Sequence, residues 1–153
     1  MLQLNDASFY FAHTVVTNTE TARTVWDRWS HVQSWNDWDA SLKGTVCDDN
    51  GLFLGKMFSV VPHAAPGPIP VTVSSFINGQ HFTTRSSGPM GELAFGHGLR
   101  RFPRSNRIVI EHSICAIPSD EQFFRANVWD RLQDDVETSV EALVTLCTPG
   151  AAK

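Results

Sequence analysis

From Ser119 to Cys147 the chain reads as one amphipathic helix, and that feature limits what the rest can be. Phe124, Val128, Leu132, Val136, Val140 and Val144 recur every four residues, flanked by Leu143 and Cys147. Asp134, Asp135, Glu137 and Glu141 fall mostly on other faces. Ser119 with Gln122 has capping-box spacing, Asp120 and Glu121 put negative charge at the helix start, and Thr148-Pro149-Gly150 ends it. A helix of about seven turns with one apolar stripe needs a broad apolar surface to lie on.

The residues before it supply strands. Segments near 41–47, 52–61, 69–77, 80–87, 91–102 and 106–117 are strand-like. They are separated by Asp48-Asp49-Asn50-Gly51, Asn78-Gly79, Ser87-Gly88-Pro89 and Pro103-Arg104-Ser105-Asn106. Such short connections suit consecutive antiparallel hairpins, because parallel crossovers need a dozen or more residues. The stretch from Pro62 to Pro70 is too proline-rich for a sheet interior and reads as a stiff surface loop at a cavity mouth. A seventh strand, 8–17, comes first. Two short helices follow it, one capped at Asn18 or Thr19 and carrying Val25, Trp26 and Trp29, one capped at Ser30 and carrying Val32, Trp35 and Trp38. The expected class is α+β, a curved antiparallel sheet with a long C-terminal helix over its concave face and an apolar pocket between them.

A length of 153 residues, 42% of them hydrophobic and 18% charged, fits one globular domain spanning 1–153. The net charge of −4 argues against general nucleic-acid binding, and Arg100-Arg101-Phe102-Pro103-Arg104 with Arg107 reads as a solvated strand end. No apolar run nears the roughly 20 residues that cross a bilayer, so no membrane insertion is expected. Met1 to Asp6 shows no secretory pattern. Three scattered cysteines, Cys47, Cys115 and Cys147, suit buried thiols in a reducing, cytoplasmic setting. The oligomeric state is left open, a homodimer included.

Val25-Trp26-Asp27-Arg28-Trp29, Trp35-Asn36-Asp37-Trp38, Leu42-Lys43-Gly44 and Gly51 to Phe58 resemble the START-like, or SRPBCC, superfamily. Birch-pollen-allergen-like proteins, lipid-transfer domains and polyketide cyclase/dehydrase-like proteins belong to it. The resemblance runs from about residue 8 to residue 147. It implies a helix-grip fold of seven strands around the C-terminal helix, and a cavity for lipids, polyketides or other apolar molecules. It also implies that Phe123, Phe124 and Asn127 lie near the pocket, with Trp35 or Trp38 in its wall. The superfamily has no universal catalytic set, so no catalytic role transfers. The glycine pattern that many cyclase-like members carry after the last strand is missing.

Histidines on apolar strand faces are the features closest to chemistry. Alternation puts His13 with Phe9, Phe11 and Val15, His97 with Leu93, Phe95 and Leu99, and His112 with Ile108, Ile110 and Ile114. Each imidazole is either a core group satisfied by a neighbour or a ligand contact able to do acid–base work. His97 and His112 are the candidate catalysts. Arg85 is a candidate anion holder, or else an exposed residue of the convex face. The candidate ligand contacts are His13, Trp35, Trp38, Phe95, Ile110, Phe123, Phe124 and Asn127. Phosphate loops, nucleophile elbows and zinc spacings are missing, so neither a cofactor nor a metal is expected. The expected function is binding of a small hydrophobic or aromatic ligand, lipid- or polyketide-like, in an internal cavity. The alternatives are a cofactor-independent cyclase, aromatase or dehydratase using the cavity histidines, and a protein-partner-binding module.

Overall fold

The computed structural model describes residues 9–150. The expected strand start at Ser8 and the N-terminal hexapeptide lie outside the described residues. The strands are β1 (Phe9–Asn18), β2 (Leu42–Val46), β3 (Met57–Pro62), β4 (Ile69–Ile77), β5 (His81–Gly88), β6 (Gly91–Arg101) and β7 (Arg107–Pro118). They form one antiparallel sheet in the order β1-β7-β6-β5-β4-β3-β2, so five consecutive hairpins run inward from the β2 edge and β1 closes on β7. Between β1 and β2 come a 3-10 turn (Thr19–Thr21), α1 (Ala22–Ser30) and a 3-10 helix (Val32–Asp37). The C-terminal helices are α2 (Glu121–Asn127) and α3 (Trp129–Cys147). The seven strands and the two short helical segments after the first match the expected helix-grip layout.

Several local expectations change, the caps of the short helices among them, since Asn18 makes no side-chain cap bond and Ser30 is the last residue of α1. The C-terminal helix is interrupted at Val128, whose φ of −128° and ψ of −42° break the helical path, although no proline or glycine marks the place. Its start is capped by Asp120, whose side chain accepts from the Phe123 N–H. Ser119 is held elsewhere, donating its hydroxyl to the Pro89 carbonyl at 2.6 Å. The third strand begins at Met57 because residues 51–56 wrap the buried Lys56, whose Nζ donates to the carbonyls of Asp49 (2.8 Å) and Gly51 (2.6 Å). Of the three thiols, Cys147 alone is buried, Cys47 is half-buried and Cys115 is exposed.

The stripe on the C-terminal helices does what its spacing implies. Phe124, Val128, Leu132, Val136, Val140, Leu143 and Val144 are all buried on the concave side of the sheet, and each buried apolar side chain contributes about 1.5–3 kcal/mol. α3 lies over β1 and β7. The opposite wing of the sheet, β3 to β5, is covered by α1 and the second 3-10 helix, through Val25, Trp29, Val32, Trp35 and Trp38.

At the β5–β6 turn, Gly91 has φ of +107°, and a Cβ there would meet the backbone of Ile117, Pro118 and Ser119, the last two at 2.8 and 2.7 Å. Gly91 is paired with Pro118 at the end of β7, so the turn and the lead into α2 press on each other. Gly91→Ala should destabilise the fold by about 3 kcal/mol or more, since backbone strain and a backbone clash combine. Urea unfolding checks this, and an unchanged midpoint would count against the close approach.

Candidate functional site

Register brings the histidines together. His13 on β1 is opposite His112 on β7, and His112 is opposite His97 on β6. The same row continues through Phe82 on β5 to Phe76 on β4. Side chains in such a row share one face of the sheet. Here that face is the concave one, because Ile110, Ile114, Leu99 and Phe82, of matching parity, are buried under the helices.

The middle of the row is packed with rings. His97 stacks on Phe82 with centroids 4.1 Å apart and planes within 4°. His112 meets His97 edge-on at 4.9 Å. Trp29, Trp35 and Trp38 close over them at 5.4 to 5.9 Å from one imidazole or the other.

His112 is fully committed. The Trp29 Nε1–H donates to His112 Nε2 at 3.1 Å, which fixes the imidazole proton on Nδ1. That Nδ1–H donates to Ser139 Oγ at 2.8 Å, and the Ser139 hydroxyl donates to the Val136 carbonyl at 3.0 Å. Burial, with His97 alongside, holds the His112 imidazole well below its ordinary value and therefore neutral. His97 is pushed down to about 3, chiefly by burial. The backbone of Phe82 and Phe95 lies close enough to offset part of that effect, but His97 Nδ1 makes no hydrogen bond of good geometry, and neither does the buried Trp38 Nε1.

The other expected residues separate. His13, at the sheet edge and partly exposed, pairs its Nε2 with Glu141 of α3 at 2.8 Å. Ile110 is completely buried, and Phe95 is half-buried beside Leu93 and Trp129. Phe124 is buried edge-on against Phe9 and tilted against Trp129. Phe123 and Asn127 are exposed, one bonded to the other, Asn127 Nδ2 donating to the Phe123 carbonyl at 3.0 Å. They sit about 100° round the helix from the buried pair Phe124 and Val128. Arg85 stands on the convex face, ion-paired to Glu92 at 2.6 Å.

Ser139 is the residue that sequence reading passed over. A serine one residue before Val140 and three after Val136, on the apolar stripe, was the available signal. Two hollows mark the outer surface. One of about 830 Å³ runs along α3 between Asp37, Asp134, Glu137 and Glu141, and one of about 340 Å³ lies at Thr24, Arg28 and Ser34. Among the described residues, no group of three or more His, Cys, Asp or Glu could hold a metal ion. None of the described helices is long and apolar enough to cross a membrane.

Two outcomes follow from the buried imidazoles. Ser139→Ala leaves the His112 Nδ1–H unpaired and should cost about 1–3 kcal/mol, read as a lower urea midpoint. The His97 contribution is intact above 6.5 and is lost as pH falls towards about 3, because the unfolded chain takes up a proton that the folded one refuses. Each such group should cost about 1.4 kcal/mol per pH unit. Asp39 and Asp135, raised mainly by burial, act in the opposite sense above 3.8, so the His97 effect is read as the difference in slope between parent and variant below pH 6.5. There His97→Phe should remove roughly half of the histidine-driven slope, and an unchanged slope would contradict its burial as a neutral group.

No protein-family model matches the sequence. No curated protein matches it either. Solved structures do match in fold. A hypothetical protein from Helicobacter pylori superposes with a TM-score of 0.76 at 10% identity, over 92% of this chain and 88% of its own. Truncated norcoclaurine synthase from Thalictrum flavum gives 0.69 at 12% identity, over 97% and 99%. A major latex-like protein from Panax ginseng gives 0.70 at 7% identity, over 93% and 99%. The fold is the birch-pollen-allergen-like, START-like helix grip.

Proposed function

We propose that this helix-grip chain binds a small apolar or aromatic molecule between the concave face of its sheet and its helices. One observation carries the reading. Leu93 and Phe95 on β6, with Phe11 on β1, point inward towards the α2–α3 junction yet stay only half-buried. An apolar row that the helices cover only in part leaves surface that a ligand can bury, at about 25 cal/mol per Å². The helical path is interrupted at Val128, which packs in the same cluster as this row, and this supports a ligand entrance there. The similar structures agree in fold, and one of them is, by its name, a synthase.

Catalysis has less support than binding. Both nitrogens of His112 are committed, and Arg85 faces away from the imidazoles. Of the two buried imidazoles, His97 is the one with a nitrogen left without a side-chain partner. A partner-binding module has no specific observation in its favour.

Native mass spectrometry of the purified protein should reveal a co-purifying small molecule, or a one-to-one adduct with the neutral probe N-phenyl-1-naphthylamine. Leu93→Trp, which fills the uncovered row, should weaken that probe at least about tenfold, a loss of about 1.4 kcal/mol. Circular dichroism establishes that the variant is folded. Protein free of any adduct and indifferent to the probe would defeat the reading.

A further inference from the structure

Among the described residues, two buried side-chain polar atoms lack a hydrogen-bond partner, Trp38 Nε1 and His97 Nδ1. They belong to neighbouring rings, with centroids 6.3 Å apart and planes near perpendicular. A buried unpaired donor or acceptor costs about 1–3 kcal/mol, so two on adjoining rings are a standing expense of the closed interior. Neither atom touches a water-sized space.

We infer that Trp38 and His97 together recognise a hydroxyl group on a neutral, ring-bearing ligand, at a position closed until that ligand enters. The inference rests on the ligand-binding reading above and names the chemistry of its polar contact. The indole N–H can only donate, so the group facing it must accept. A neutral imidazole nitrogen either donates or accepts, depending on its tautomer. A hydroxyl answers both, accepting from Trp38 while donating to or accepting from His97. A cation cannot accept from the indole. A carboxylate would sit desolvated among Trp29, Trp35, Phe82 and His112, none of which carries a compensating charge. Those rings favour a flat ligand body.

Trp38 is also the ring best placed to move. Trp35 is tethered by its Nε1–H, which donates to the Trp29 carbonyl at 2.8 Å, whereas the Trp38 indole has no such tie. Trp38 directly follows the Val32–Asp37 3-10 helix, whose Ser34 leaves helical geometry with φ of −124° and ψ of 24°. The unpaired pair raises the closed state, so swinging Trp38 aside costs less than it would in a fully satisfied core.

Phenol, toluene and benzoate, similar in shape, test this by titration into ¹⁵N-labelled protein with the indole N–H signals as readout. The Trp38 signal is identified from Trp38→Phe. Phenol should shift that signal downfield and bind at least about tenfold more tightly than toluene, with benzoate weaker than phenol. Trp38→Phe should bring the phenol-to-toluene ratio close to one while leaving toluene binding in place, and His97→Phe should do the same without touching the indole. Equal affinities, or phenol binding with the Trp38 signal unmoved, overturn the hydroxyl contact and leave apolar binding standing. A water-to-Trp38 cross-relaxation signal that survives saturating phenol also overturns it. If neither phenol nor toluene binds and mass spectrometry finds no adduct, both readings fall.

Discussion

One buried imidazole joins the three parts of this fold. His112 lies on β7, receives the indole proton of Trp29 from α1, and gives its own to Ser139 on α3. The sheet, the short-helix layer and the gripping helix therefore meet at a single ring. Hydrophobic burial supplies most of the stability but is indifferent to small rotations and slides. A chain of three directed hydrogen bonds is not, and in a low-dielectric interior each misalignment leaves a polar group unpaired. The position of α3 along the sheet, and the tilt of α1 against it, are set by that chain as much as by packing.

The row of histidines shows how one residue type takes three roles from one register. At the edge, His13 is partly wet and reaches a carboxylate on α3. In the centre, His112 is dry and fully satisfied. One strand further in, His97 is dry, stacked and unsatisfied at Nδ1. Burial separates His13 from the other two, and the supply of partners separates His112 from His97, although both buried imidazoles lie against the tryptophans of the short helices. The opposite, convex face of the same strands carries its own polar pairings, Arg85 to Glu92 and His81 to Ser75 and Thr83.

Much of this was legible in the residues. Turn chemistry bounded the seven strands, and period-two alternation put all three histidines on apolar faces, because each shares its strand with large aliphatic or aromatic residues. Arg85 was harder to place, since β5 offers a single large apolar residue, Phe82, and the pairing with β6 decides its face. Other features were not written in the pattern. Four-residue spacing runs through Val128 without a break, so the interruption there is a tertiary outcome. Ser119 and Asp120 are both good caps, and competition from the Pro89 carbonyl chose between them. Lys56 looked like the inside of a strand because the carbonyls that hold it belong to a loop whose path sequence does not specify.

The expected cavity at the histidines is occupied by the protein's own rings, and this bears on how a ligand could enter. An empty apolar void loses dispersion contacts, so a chain without ligand gains by filling it with side chains. Tryptophan is suited to that role, since it brings a large ring at little conformational cost but carries an N–H that needs an acceptor. Trp35 finds one in the Trp29 carbonyl and becomes wall; Trp38 finds none. The interior is thus well packed but imperfectly satisfied at one point, beside an equally unsatisfied imidazole. In such a core, exchange of a side chain for a ligand is governed by polar pairing more than by volume. Selectivity would then follow from which ligand can supply the missing oxygen, and the half-covered row at Phe95 and Leu93, two and four residues along β6 from His97, gives that ligand an apolar path inward.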